Sequence, residues 1–143
     1  MLGSLTKFVA VMNFGIITRS NFVFVEKSSK NLIVLETFLR VGLLKAFYIK
    51  KQSIKVIYKF SGHTWHNILY RIDFVSTKSR KVHKTLKGMN YEARRFWGDY
   101  LMTTPLGIFM YGELLQFNKI APVSGIVILK IHYAGGVQGL KWV

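Results

Sequence analysis

The sequence predicts an α/β protein of the α+β kind, built as an N-terminal α-β-α-β-β half and a C-terminal half of mostly β-strands with a short helix. Two observations predict this class. Apolar residues at helical spacing occur early in the chain, and short aromatic or β-branched runs dominate the remainder. The 143 residues, of which 50% are hydrophobic, suffice for a core. We place the N-terminal half at 1–64, the C-terminal half at 65–131 and a C-terminal extension at 132–143.

The N-terminal half begins with a predicted helix from Thr6 to about Ile17, followed by the strand Phe22-Val23-Phe24-Val25. Ser28 is an N-cap signal for a second helix, which Gly42 ends. The alternating segments 47–49 and 54–60 then predict an antiparallel hairpin.

The C-terminal half begins with a predicted strand at 68–75, followed by a basic cluster at 76–87 that we interpret as a solvated loop. Val123 to Ile131 form a nearly continuous apolar run, which is typical of a buried strand. We expect this strand to close a second sheet.

A rigid polar corner is predicted between these strands, at Leu101 to Met110. A strand runs into Thr103 and Thr104, Pro105 fixes its own φ, and Gly107 permits a conformation closed to other residues. A short helical segment follows. We expect both hydroxyls to face outward, where they can donate and accept hydrogen bonds. The alternative is that the corner closes a hairpin and does nothing more.

The charge of the chain indicates a polyanionic partner. There are 21 Lys and Arg against 6 Asp and Glu, a formal net charge of +15, which is costly unless it is neutralised. Nucleic acid is the first candidate and a membrane surface the second, although the apolar runs are far shorter than the roughly 20 residues of a spanning helix. The absence of Cys excludes a disulfide scaffold, a thiolate zinc site and a cysteine nucleophile.

The order of these parts resembles one family, the universal small-subunit ribosomal protein eight, here called the S-eight family. The resemblance covers about Leu5 to Ile131. Its most specific piece is the family's Ser-Thr-Ser-x-Gly signature, which is similar to Thr103-Thr104-Pro105-Leu106-Gly107. The other similar segments are Ser29-Lys30, Gly42 to Phe47, Val75 to His83 and Ser124 to Ile128.

The resemblance implies a structural constituent of the small ribosomal subunit that binds the central domain of its rRNA, supports subunit assembly and neighbours other ribosomal proteins. It implies that the corner reads the minor groove while basic side chains hold phosphates, as RNA chemistry also favours. The implied rRNA-binding residues are Thr103, Thr104, Pro105 and Gly107 at the corner; Ser76, Lys78, Arg80, Lys81, His83 and Lys84 in the basic segment; and Lys7, Asn13, Arg19, Ser29 and Lys30 in the N-terminal half.

The sequence also departs from the family pattern. Pro105 replaces the last hydroxyl of the signature, Lys78 and Ser79 replace a Pro-Gly, and about three residues are inserted near Lys119. A diverged rRNA and extra protein neighbours, both usual in mitochondrial ribosomes, accommodate these departures. The composition, rich in Phe, Ile, Tyr, Lys and Asn, is typical of an AT-rich genome. We therefore expect a mitochondrial location in preference to a plastid or the bacterial cytoplasm.

Three other classes compete with this interpretation. A metal site or hydrolase would start from the four histidines with Asp73, Asp99 or Glu113, but no carboxylate lies close to His63 and His66 in sequence. A nuclease would need clustered carboxylates, and six scattered acids argue against one. A basic peripheral membrane or scaffold protein is the main alternative. We expect no enzymatic activity, metal, cofactor or small-molecule substrate.

Overall fold

The structure is a computed structural model that describes residues 2–62, 66–76, 82–85, 96–117 and 124–134. It confirms the predicted α+β class, with helices and two antiparallel sheets. In the first half the elements are α1 (Leu2–Ile17), β1 (Phe22–Glu26), α2 (Ser29–Arg40), β2 (Leu44–Ile49) and β3 (Ser53–Tyr58). In the second half they are β4 (Leu69–Phe74), β5 (Val82–Thr85), β6 (Gly98–Thr104), β7 (Gly107–Met110), α3 (Tyr111–Phe117) and β8 (Ser124–Tyr133).

The ends of the second helix follow the predicted capping chemistry. The Ser28 hydroxyl accepts a hydrogen bond from the backbone N–H of Asn31 at 3.2 Å, so it satisfies a donor that the first turn leaves open. At the other end Gly42 adopts φ +89°, and the N–H of Leu43 bonds back to the carbonyl of Phe38 at 2.9 Å. This is the Schellman arrangement that a glycine favours.

The first sheet has the strand order β1-β3-β2, and the two helices cover one of its faces. Its buried side chains include Val23 and Val25, which alternate with exposed Phe22 and Phe24. Gly15 lets α1 approach this sheet closely, because a Cβ there would lie 2.2 Å from the Tyr58 hydroxyl oxygen. That hydroxyl donates to the carbonyl of Met12 at 2.8 Å.

The second sheet is organised around β8, which is an inner strand. The sheet order is β4-β8-β6-β7. One edge of β8 pairs with β5 at its first residues and with β4 at its last residues. The predicted buried strand of a second sheet is confirmed, and it lies inside that sheet with neighbours on both sides. His132 and Tyr133 belong to β8 and pair with β4, so these two residues are not part of an extension.

Polar side chains of both helices contact the second half, in addition to a hydrophobic cluster that contains side chains from both sheets. The Asn13 amide of α1 bonds both backbone groups of Ile72 in β4, at 2.8 and 2.9 Å. On the other side, Arg40 of α2 forms a two-pronged ion pair with Glu113 of α3, which raises the pKa of the guanidinium. These links fix the position of α1 and α2 against the second half.

Two strands differ from the sequence-based prediction. Residues 82–85 form β5 where a solvated loop was predicted, and Gly107–Met110 form β7 before the short helix. The corner at Pro105 and Leu106 is thus the turn of a β6–β7 hairpin, with Thr104 paired to Gly107.

Candidate nucleic-acid interface

A cleft of about 560 Å³ lies where β5, the β6–β7 turn and the beginning of β8 meet. His83 and Thr103 both pair with Ile126, so the inner strand carries the basic segment on one side and the corner on the other. The cleft is lined by His83, Lys84, Thr103, Thr104, Pro105, Gly125 and Ile126. Three separate segments of the chain therefore meet at one surface.

Gly125 makes the close approach of β8 to the corner possible. A Cβ at this position would lie 2.3 Å from the carbonyl oxygen of Thr103 and 3.0 Å from the Thr104 methyl carbon. The first contact is with backbone, which a side-chain rotation cannot relieve. Gly107, at φ +129°, supplies the conformation that was predicted for the corner.

Thr104 stabilises the turn with its hydroxyl. The side chain is 7% exposed, its Oγ1 donates to the carbonyl of Gly107 at 2.9 Å, and it accepts from the N–H of Leu106 at 3.2 Å. Such local bonds are typical of Thr at turns. The expectation that this hydroxyl faces outward is therefore wrong, since both bonds lie within the hairpin.

Thr103 differs from its neighbour, because its hydroxyl is buried and has no hydrogen-bond partner among the residues that the structure describes. The outward orientation expected for it is also wrong. A buried polar group without a partner is costly, and such groups often mark a place where a ligand or water belongs. An external partner could reach this oxygen only if the side chain rotates or the cleft opens.

Ser76, predicted to position RNA, is fully buried and forms hydrogen bonds within the protein instead. Its hydroxyl donates to the carbonyl of Val127 and accepts from the N–H of Val82 at 2.8 Å. These bonds attach the end of the β4 region and the start of β5 to β8. The pairing of β5 with β8 places His83 and Lys84 beside the corner, and the Ser76 bonds add to this attachment. Lys78, Arg80 and Lys81 lie outside the described residues.

The predicted N-terminal contact residues are distributed over α1, the segment after it and the start of α2. Lys7 is exposed within α1, and Arg19 is exposed two residues beyond the end of this helix. Ser29 is exposed and Lys30 half-buried at the start of α2. Asn13 is committed to Ile72, as described above, and we withdraw it from the contact set.

A second cavity, of about 720 Å³, lies between the end of α1 and β4. Arg19 lines it, and so do Tyr70 and Arg71, which the sequence did not single out. Arg19 adopts φ +57° at the position after the helix where glycine is usual. Tyr70 and Arg71 could have been recognised only from the docking of α1 on β4, because nothing local marks them.

The acidic and histidine side chains give no support to a metal site. No group of three metal-ligating residues lies together within the described ranges. His132 pairs with Asp73 at 3.0 Å. Asp99 is buried, which raises the pKa of its carboxyl well above the usual range, and it accepts from the N–H of Tyr100 at 2.7 Å. His63 lies outside the described residues.

No protein-family model matches the chain, and no curated protein matches it either. In the described part of the chain, every helix is too short or too polar to cross a bilayer. The fold defines the molecule as a basic α+β protein with two antiparallel sheets and a cleft that joins a basic strand to a hairpin turn.

Proposed function

We propose that the chain is a structural protein of the small ribosomal subunit, in a mitochondrion, that binds the central domain of the small-subunit rRNA through the cleft. The observation that carries the proposal is the meeting of three segments. The basic strand, the Thr-Thr-Pro corner and the glycine of β8 are far apart in sequence, and each belongs to a motif of the S-eight resemblance. Their convergence is what a shared RNA contact surface requires.

The chemistry of the cleft suits RNA. His83 is exposed and Lys84 half-exposed on β5, beside a turn whose exposed residues are Pro105 and Leu106. Cationic side chains hold phosphates, whereas a rigid turn with short side chains fits the shallow minor groove and its 2′-hydroxyls. The formal net charge of +15 supplies the long-range attraction. The described residues make a stabilised, pre-formed corner that costs little entropy to bind.

Binding to a transcript of the rRNA central domain tests the proposal. If roughly six to ten phosphates are neutralised, affinity should fall about a thousandfold or more between 50 and 200 mM salt. Lys84→Gln should weaken binding and reduce the slope of log affinity against log salt by about one. The matched control is Lys51→Gln, an exposed lysine in the β2–β3 turn, far along the chain from the cleft.

A salt-independent affinity would contradict the phosphate contacts. Equal losses in the Lys84 and Lys51 variants would contradict the cleft as the binding surface. An unrelated RNA of the same length serves as the reference, and it should bind more weakly at every salt concentration.

A further inference from the structure

The open face of the first sheet carries a row of aromatic side chains around one lysine. Its outward residues include Phe24, Lys55 and Tyr48, which are direct cross-strand neighbours on β1, β3 and β2. Phe24 is 51% exposed and Tyr48 is 54% exposed. The helices cover the opposite face, so this one has no partner in the described part of the chain.

The geometry of this row leaves the rings of Phe24 and Tyr48 accessible to a ligand. The Lys55 ammonium lies 4.4 Å from the centre of the Phe22 ring, so the ammonium covers one face of that ring. Phe22 in turn meets Phe24 edge-on, with ring centres 5.6 Å apart and an interplanar angle of 84°. Phe22 therefore orients both neighbours. Phe24 and Tyr48, two strands apart and so about 10 Å from each other, flank the lysine as exposed platforms.

The lysine decides what kind of partner fits. An apolar protein surface covering this face would bury the charge at its centre without compensation, which is costly. A single-stranded RNA brings planar bases for the rings and phosphates for the ammonium in one ligand. Glu26, two residues beyond Phe24, lies on the same exposed face at the end of β1 and pairs with Ser53.

We infer that the open face of the first sheet binds a single-stranded RNA segment, with bases stacked on Phe24 and Tyr48 and a phosphate held by Lys55. This surface is separate from the β5–β6–β8 cleft. The inference rests on the proposed function only in taking the chain to bind RNA. The sheet face would be a second RNA contact besides the cleft, and this contact requires neither a duplex nor a minor groove.

The probe is a fluorescein-labelled hexauridylate, with a twelve-base-pair RNA duplex for comparison and the full chain as the protein. Phe24→Leu and Tyr48→Leu keep apolar bulk and remove the stacking face, so each should weaken hexauridylate binding about fivefold or more. Duplex binding should not change. Phe24→Trp should restore or tighten binding. The matched control is Phe14→Leu, because Phe14 is an aromatic residue that is 66% exposed on α1. This variant should bind hexauridylate with the affinity of the wild-type protein.

Equal affinity of the Phe24→Leu and Phe14→Leu variants for hexauridylate would overturn the inference. Failure of the wild-type protein to bind hexauridylate would overturn it as well. Sedimentation equilibrium identifies one other occupant: self-association that Phe24→Leu abolishes would mean that a second copy covers the face, which also overturns it. Because the cleft is tested with structured rRNA and Lys84→Gln, failure here leaves that test unaffected.

Discussion

Thr103 and Thr104 are consecutive residues of β6, and their hydroxyl groups differ in hydrogen bonding. Thr104 Oγ1 makes two hydrogen bonds inside the hairpin, whereas Thr103 Oγ1 is buried without a partner among the described residues. Sequence reasoning identified the pair but assigned both to the surface. It could not distinguish them, because the orientation of each hydroxyl depends on how β6 pairs with β7 and β8.

Valine substitutions should separate the two roles. Thr104→Val removes both turn bonds, so the free energy of unfolding should fall by about 1–3 kcal/mol. Thr103→Val removes a hydroxyl whose burial is uncompensated, so the free energy of unfolding should stay the same or rise. Urea denaturation followed by circular dichroism measures both.

The RNA affinity of the Thr103→Val variant tests whether this hydroxyl contacts rRNA. If the rRNA supplies the missing partner of Thr103, Thr103→Val should lose about 1–3 kcal/mol of specific affinity although the protein is no less stable. Destabilisation by Thr103→Val would show that its hydroxyl has a partner in the free protein. An undiminished affinity would remove Thr103 from the RNA contact set.

At the scale of elements, the helices and most strands were predictable because local signals mark them. Ser28 and Gly42 bound α2, and alternation marks β1 and β3. The strands β5 and β7 were missed for a different reason. Each has four residues and forms because a neighbouring strand offers a free edge, which is tertiary context that local propensity does not contain. Ser76 was misassigned likewise, since its role is to bond two distant strands.

The polar part of the contact between α1 and β4 is an element-scale feature, and the Asn13 side chain makes it. β4 is an edge strand, and the Asn13 amide bonds the free N–H and carbonyl of Ile72 as a neighbouring strand would. Asn13→Ala should lower the free energy of unfolding by about 1–3 kcal/mol, because both groups lose their partner. Lys7→Ala, at an exposed position of the same helix, should change it by less than about 0.5 kcal/mol.

Thermal and urea denaturation of these two variants measure the difference. Equal stability of the Asn13→Ala and Lys7→Ala variants would mean that the two Asn13 hydrogen bonds contribute nothing to stability. It would also reopen the possibility that the Asn13 side chain is available to RNA.

At the scale of the whole molecule, two sheets share one hydrophobic cluster and carry a large excess of positive charge. The charge and the fold class were predictable from composition and periodicity. The cleft was predictable only as a set of segments that the family resemblance brought together, because its walls come from three strands. The aromatic face of the first sheet was not predicted, since exposure depends on which face the helices cover.

The most direct measurement of the central claim is sedimentation of a tagged chain from a cell lysate through a sucrose gradient, with small-subunit rRNA and membrane lipids followed in the same fractions. A stably bound ribosomal protein should travel in the peak of the small subunit. Dissociation of the subunit should move the chain together with the rRNA central domain. A chain that stays at the top of the gradient with free proteins, or travels with membranes without rRNA, would contradict the proposed function.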